Sequence, residues 1–294
     1  MSVRSLFLAL RPLQWAKNVL IFAPLVLAHQ WTDADKVRAA LLAFVAFSLT
    51  ASAAYVTNDL VDVDSDRHHP TKKNRPFASG ALPGAVGPVL ALALLGGAAW
   101  VTLGQLPVRF TTALAGYFAI TLVYSFWLKR LLLVDVFTLT ALHIVRILAG
   151  GYATETTVTE WLIAFAVFLF TSLAFAKRYT ELTGIAADGI ADPSRTGRAY
   201  LPTDLSVIET VGPTSGYMAV LVLALYINSS QVTGLYTNPA SLWLICPLLM
   251  YWLTRLWFLA KRGELDDDPL VYVLTDTASV ITGLVGLSLA LLAI

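Results

Sequence analysis

Charge is scarce in this chain. Asp, Glu, Lys and Arg make up 13% of its 294 residues, where a soluble domain carries about 25%. Cysteine is almost absent. Cys246 stands alone in an apolar run, which excludes an intrachain disulfide and a cysteine-based metal site. Net charge is +1, so no global field exists to attract nucleic acid. A cleavable leader is not expected: Arg4 and Arg11 flank a short apolar patch, and Pro12 follows with no small-residue cleavage pattern. No low-complexity segment, linker or soluble domain is evident.

What fills the chain instead is hydrocarbon. Hydrophobic residues account for 57% and mean hydropathy is +0.70, the profile of a polytopic membrane protein. Apolar runs lie at about 13–31, 39–57, 85–104, 109–128, 131–150, 159–177, 212–230, 240–260 and 276–294. Each approaches the ~20 residues that a helix needs to cross ~30 Å of hydrocarbon. Only helices satisfy their own backbone in lipid without closing a barrel. The expected fold is therefore all-α, with nine transmembrane helices in a single integral-membrane domain over 1–294. Long loops follow the second, sixth and eighth runs, at about 58–84, 178–211 and 261–275. By parity they share one face with the N-terminus and with the Lys129-Arg130 turn. That face collects sixteen Lys and Arg residues against three (Lys36, Arg38 and Arg109) on the other. The positive-inside rule makes it cytoplasmic and sends the C-terminus outward.

The scarce charge is concentrated where the second run ends, in Asn58-Asp59-Leu60-Val61-Asp62-Val63-Asp64-Ser65-Asp66. On a continued helix, with Asn58 at zero, Asp62 falls at about 40°, Asp66 at about 80° and Asp59 at about 100°. Asp64 falls on the back, at about 240°. Asn58, Asp59, Asp62 and Asp66 thus share a stripe and become the candidate metal ligands, with Asp59, Asp62 and Asp66 as the catalytic carboxylates. Hard oxygen donors without His or Cys favour Mg²⁺, which keeps waters and uses few carboxylates plus substrate phosphate oxygens. The bland alternative is a solvated acidic helix end balanced by Lys72, Lys73 and Arg75. The one-sided spacing at a membrane exit favours the site. His68 and His69 are adjacent, point apart and read as loop residues.

Asn58-Asp59-x-x-Asp62-x-x-x-Asp66 resembles the NDxxDxxxD motif of the UbiA prenyltransferase superfamily. That resemblance extends over essentially the whole chain and implies nine transmembrane helices in a UbiA-like bundle and Mg²⁺ as cofactor. Four further stretches resemble the branch of decaprenyl-phosphate phosphoribosyltransferases: Arg11 to Asn18, Asp66 to Lys72 with Arg75-Pro76, Ile147 to Gly151, and Ala176 to Leu182. Ordinary members carry a second Asp-rich motif after the sixth span. Here that place reads Lys177-Arg178-Tyr179-Thr180-Glu181, which suits direct binding of phosphate. The resemblance implies a pentosyltransferase in the plasma membrane. Polyprenyl phosphate attacks C1 of phosphoribosyl diphosphate (PRPP) and diphosphate leaves. It also implies a role in making the arabinan precursor of a cell wall.

The remaining candidates for substrate binding are Lys17, Asn18, Asn58, Lys72, Lys73, Arg75, Lys129, Lys177, Arg178, Tyr179 and Glu181. Each has an ordinary reading beside the functional one. Lys17 could snorkel at the interface. Lys72, Lys73 and Arg75 could be positive-inside charges. Lys177 and Glu181, four apart, could form a salt pair. Lys129 is carried over from the superfamily, where a Lys at this turn contacts diphosphate; Arg130 reads as topological. Arg146 lies ~22 Å into its run at ~1.5 Å per residue, where a structural partner such as Glu155 is expected. Asp266, Asp267, Asp268 and Asp276 read as loop, and Trp15, Trp31, Trp100, Trp127, Trp161, Trp243 and Trp257 as an aromatic belt. Two rival functions stand beside the pentosyltransferase. One is a prenyltransferase alkylating an aromatic or lipid-precursor acceptor, which should want the missing acidic motif. The other is a cation-linked transporter, which should want charges in mid-span. Assembly into a homo-oligomer is open.

Overall fold

The computed structural model describes residues 2–68, 72–187, 199–265 and 268–294. His69, Pro70, Thr71, Arg195, Arg198, Asp266 and Asp267 lie outside the described residues. In chain order the helices are α1 (Val3–Ala9), a 3₁₀ stretch (Pro12–Phe22), α2 (Ala23–Leu27), α3 (Ala34–Val61), α4 (Val63–Arg67), α5 (Val86–Thr102), α6 (Val108–Phe126), α7 (Val134–Ala153), α8 (Glu160–Ala187), α9 (Leu205–Ile227), α10 (Ser230–Thr233), α11 (Ile245–Arg262), α12 (Pro269–Thr275) and α13 (Thr277–Ala293). No strand occurs among the described residues.

Five of these helices are long and apolar enough to cross a membrane, or six if α12 and α13, bent by 79°, count as one. The nine expected spans exceed this count for local reasons. The first run is broken by chain chemistry. Pro12 opens the 3₁₀ stretch, Pro24 sits near the start of α2, and His29 takes a left-handed backbone with φ 55°. The third run yields a helix of only 17 residues.

Contacts divide the chain into two units, residues 1–126 with 145–158, and residues 127–144 with 159–294. In the first, α3 lies against α5, α6 and the 3₁₀ stretch. Its buried face is built from small residues, among them Ala43, Ala46, Ser48, Ala51, Ser52 and Ala53. Small side chains let helix backbones approach closely in lipid, where packing replaces hydrophobic drive. The loop after α4 folds back. Phe77 and Leu82 enter a core with Ala9, Ala53, Val56, Ala91 and Leu94, and Leu82 N–H donates to Pro76 O at 2.9 Å. That anchorage fixes Arg75 at the mouth of the loop.

In the second unit α8 runs along α9, and α11 packs on α9 and α13. Gly212 of α9 lies against the Trp257 ring; a Cβ there would stand 2.2 Å from it. Trp257 is buried and donates Nε1–H to Ser172 Oγ at 3.1 Å, so it is a core residue and not part of an aromatic belt. Asp276 is likewise no loose loop residue. It sits at the α12–α13 break, accepts two hydrogen bonds from Arg255 at 2.6 and 3.0 Å, and caps α13 through Ser279 N–H at 2.8 Å.

Candidate active site

Helical geometry continues through the acidic run with one interruption at Asp62. Asp62 N–H still bonds to Asn58 O at 2.9 Å, and Asp66 N–H to Asp62 O at 2.8 Å. Register is therefore kept from α3 into α4, and residues seven apart stay on one face. Asp59 and Asp66 are buried, Asn58 and Asp62 half-buried, and Asp64 is 94% exposed in its side chain. Arg75 Nη1 bridges the two buried carboxylates, 3.2 Å from Asp59 Oδ1 and 2.6 Å from Asp66 Oδ2. Arg11 also pairs with Asp59 Oδ1 and lies 5.1 Å from the centroid of the Tyr55 ring. Its backbone is left-handed, φ 50°, where the chain turns from α1 into the 3₁₀ stretch. Lys72 and Lys73 are exposed, and Arg75 is turned toward the buried carboxylates. His68 is exposed and bonds through Nδ1 to Asp64 O at 2.8 Å.

A fit to a hard cation follows from the donor set. Asp59 Oδ2 is buried without a hydrogen-bond partner among the described residues. Asp66 supplies a second buried carboxylate one helical face along. Among the described residues no group of three or more His, Cys, Asp or Glu side chains is arranged to hold a metal ion. The structure thus brings together Asp59 and Asp66 of the expected set, through Arg75. Two carboxylates suit Mg²⁺, which takes one or two and leaves its other positions to water and phosphate.

Deeper in the same unit, one expectation needs correction. Arg146 is buried and does not depend on Glu155. Its Nε donates to Asn18 Oδ1 at 2.9 Å and its Nη2 to Tyr117 Oη at 2.8 Å. Asn18 is fully buried, and its Nδ2 donates to Ser48 Oγ at 3.1 Å. Enclosed this way, Asn18 ties the 3₁₀ stretch to Ser48 and Arg146; half-buried Lys17 next to it is the side chain left nearer the surface. Replacing Arg146 with Met strands Asn18 Oδ1 and Tyr117 Oη in the interior. The expected loss is about 1–3 kcal/mol, read as a lower Tm of the purified protein in detergent.

In the second unit the side chains after the sixth apolar run are mostly turned inward. Arg178 is 1% exposed. Its Nε stands 2.6 Å from Asp135 Oδ2 as an ion pair, and its Nη1 pairs with Glu181 three residues on. Glu181 thus pairs with Arg178, three residues before it, and the ordinary reading of Lys177 as its salt partner does not hold. Tyr179 is buried and donates its hydroxyl to Glu209 Oε1 at 2.6 Å, which also pairs with Lys261 at 3.2 Å. Lys177 and Lys129 are half-buried, and Arg130 is exposed.

Asp135, Tyr200 and Glu209 were not legible as site residues. Asp135 had a signal: a lone carboxylate inside Leu131-Leu132-Leu133-Val134-Asp135-Val136-Phe137 is costly at membrane depth and so demands a partner. Tyr200 had none, because its contact lies 65 residues away in sequence. Burial, then the hydrogen bond to Asp135, pushes the Tyr200 phenol well above its ordinary range, which keeps it a proton donor.

Comparison with known proteins agrees with this architecture. A family model described as the UbiA prenyltransferase family matches residues 19–289. Nodulation protein NoeC of Azorhizobium caulinodans is 37% identical over 289 residues, covering 96% of this chain and 91% of that one. Protein y4nM of Sinorhizobium fredii is 38% identical over 276 residues, which are 93% of this chain and 53% of that one, so the chain spans about half its length. A decaprenyl-phosphate phosphoribosyltransferase of Mycobacterium tuberculosis is 35% identical over 215 residues, 70% of this chain and 69% of that one. Among solved structures, a UbiA homolog from Archaeoglobus fulgidus bound to GPP and Mg²⁺ superposes with TM-score 0.69 at 15% identity, covering 99% and 100% of the two chains.

Proposed function

Because the chain belongs to the UbiA prenyltransferase family, we propose that it is a pentosyltransferase of the plasma membrane. It transfers 5-phosphoribosyl from PRPP to a polyprenyl phosphate and releases diphosphate. The observation that carries this reading is the sequence Lys177-Arg178-Tyr179-Thr180-Glu181, where a prenyl diphosphate enzyme wants a second carboxylate-rich motif. The name of the Mycobacterium tuberculosis relative supports the same branch.

In the first unit Asp59 and Asp66, with Asn58 and Asp62 beside them, would hold Mg²⁺. Bound there, the ion neutralises charge that develops on the departing diphosphate. Arg75 and Arg11 keep the carboxylates oriented and add positive charge at the same mouth. Lys17 with Lys72 and Lys73, and in the second unit Lys129, Lys177, Arg178, Tyr179 and Glu181, are the proposed phosphate-binding residues and their supports. Preorganised cations of this kind favour the transition state over the ground state, because the negative charge grows only as the C1–oxygen bond breaks. The acceptor is already an anionic phosphate, so no strong general base is required.

This reading takes 1–294 as one integral-membrane domain with nine spans, a cytoplasmic N-terminus and site, and an outward C-terminus. Length supports the first span. Eleven 3₁₀ residues at ~2.0 Å and five α-helical residues at ~1.5 Å together rise about 30 Å. The lipid product would feed arabinan-precursor synthesis.

The test is purified protein with ribose-labelled PRPP, polyprenyl phosphate and Mg²⁺. A labelled lipid is expected, and chelation by EDTA should remove its formation. A different result would put prenyl transfer first: no labelled lipid, but alkylation of an aromatic acid by a prenyl diphosphate.

A further inference from the structure

Asp135 does more than neutralise a charge. It is fully buried at the start of α7, with its hydrogen bonds on Oδ1 and an ion-pair contact on Oδ2. Oδ1 accepts the Tyr200 hydroxyl at 2.6 Å and Val136 N–H at 2.6 Å. Oδ2 stands 2.6 Å from Arg178 Nε on α8. Tyr200 in turn accepts Leu133 N–H at 3.2 Å, at a residue held left-handed with φ 64°. One carboxylate therefore ties the turn before α7, the segment before α9 and the C-terminal part of α8 to a single point. Arg178 passes that constraint on to Glu181, with which it also pairs. Lys177 stands immediately before Arg178 and shares the helical face of Glu181, four residues on.

We propose that Asp135 is a positioning residue that, pinned by Tyr200, fixes Arg178 and thereby the α8 face that presents Lys177 to the phosphate of the sugar donor. This rests on the phosphoribosyl reading above. A buried ion pair that served stability alone could be replaced by apolar side chains of similar volume with little harm, whereas loss of one partner strands the other charge. That asymmetry separates the two roles.

The experiment compares wild type, Asp135→Leu, Asp135→Leu/Arg178→Met and Tyr200→Phe, reading Tm in detergent and KM for each substrate. Asp135→Leu should lose much of its folded protein, and the double variant should recover a Tm near wild type. The double variant should nonetheless show a KM for PRPP raised about tenfold, with KM for polyprenyl phosphate within about twofold. Tyr200→Phe should raise the KM for PRPP about threefold, for loss of one hydrogen bond. A double variant with wild-type KM for PRPP, or with equal rises for both substrates, overturns the proposal in favour of a purely structural pair. Should the double variant fail to fold, Tyr200→Phe decides: a selective rise in KM for PRPP supports positioning, and an unchanged KM ends it. If wild type makes no labelled lipid at all, the phosphoribosyl reading falls and takes this inference with it.

Discussion

Asp66→Ala should cut phosphoribosyl transfer by at least about a hundredfold, the loss typical of removing one preorganised charge-stabilising group, while Asp64→Ala stays within about twofold. The two residues stand two positions apart in one acidic run, yet their surroundings differ in kind. Asp66 is buried and holds Arg75 at 2.6 Å. Asp64 projects into solvent, with Arg67 at 3.3 Å as its partner, a surface pair worth little to stability. Folding should survive Asp66→Ala, because Asp59 remains within 3.2 Å of Arg75 and that guanidinium is not left without a counter-charge. The measurement is initial rate with labelled PRPP beside a thermal unfolding curve for each variant. Equal losses at positions 64 and 66 would remove the one-face argument, and with it the reason to locate Mg²⁺ here.

Among the described glycines, Gly150→Ala should be the most damaging change to alanine. A Cβ at Gly150 would stand 2.0 Å from the carbonyl oxygen and 2.8 Å from the carbonyl carbon of Ile21. Both are backbone atoms of the 3₁₀ stretch and cannot rotate away, unlike the Leu60 methyls that a Cβ at Gly87 would meet. Overpacking against fixed atoms costs about 2–4 kcal/mol, and Tm should fall by at least about 4 °C. Activity should fall as well, since displacement of Ile21 shifts the stretch bearing Lys17 and Asn18. The control is Gly116→Ala in α6, where nothing lies within 4 Å of the new Cβ. There alanine should be neutral or stabilising by about 0.5–1 kcal/mol, through its better helix propensity. A Tm for Gly150→Ala equal to that of the control would show that the contact with Ile21 is not maintained in the folded protein.

Both predictions touch residues whose importance was visible at different levels. The Asn58-to-Asp66 stripe is a local property. Its geometry depends only on helical periodicity, so one turn of reasoning separates Asp64 from its neighbours. Gly150 was visible only as part of a resemblance; its physical reason is a backbone contact across about 130 residues of chain. Arg146 went to the wrong partner for the same cause, because linear distance to Glu155 carries no information about Asn18 and Tyr117. The exchange of Lys177 for Arg178 as partner of Glu181 is subtler. Spacings of three and four both bring helix residues together, and the choice fell to Arg178 once Asp135 drew that side chain inward.

Composition and periodicity alone determined that this is an all-helical membrane protein, that its carboxylates gather where one long helix ends, and that Asp64 points away from the rest. These follow from how a single chain segment meets lipid and water, and no distant contact can alter them. Tertiary structure alone decided that Arg75 enters between Asp59 and Asp66, that Asn18 is sealed beneath Arg146, and that Arg178 is paired with Asp135, which Tyr200 holds. An ion pair requires two groups within about 4 Å, and for buried charges the partner is whichever one folding delivers before desolvation becomes prohibitive.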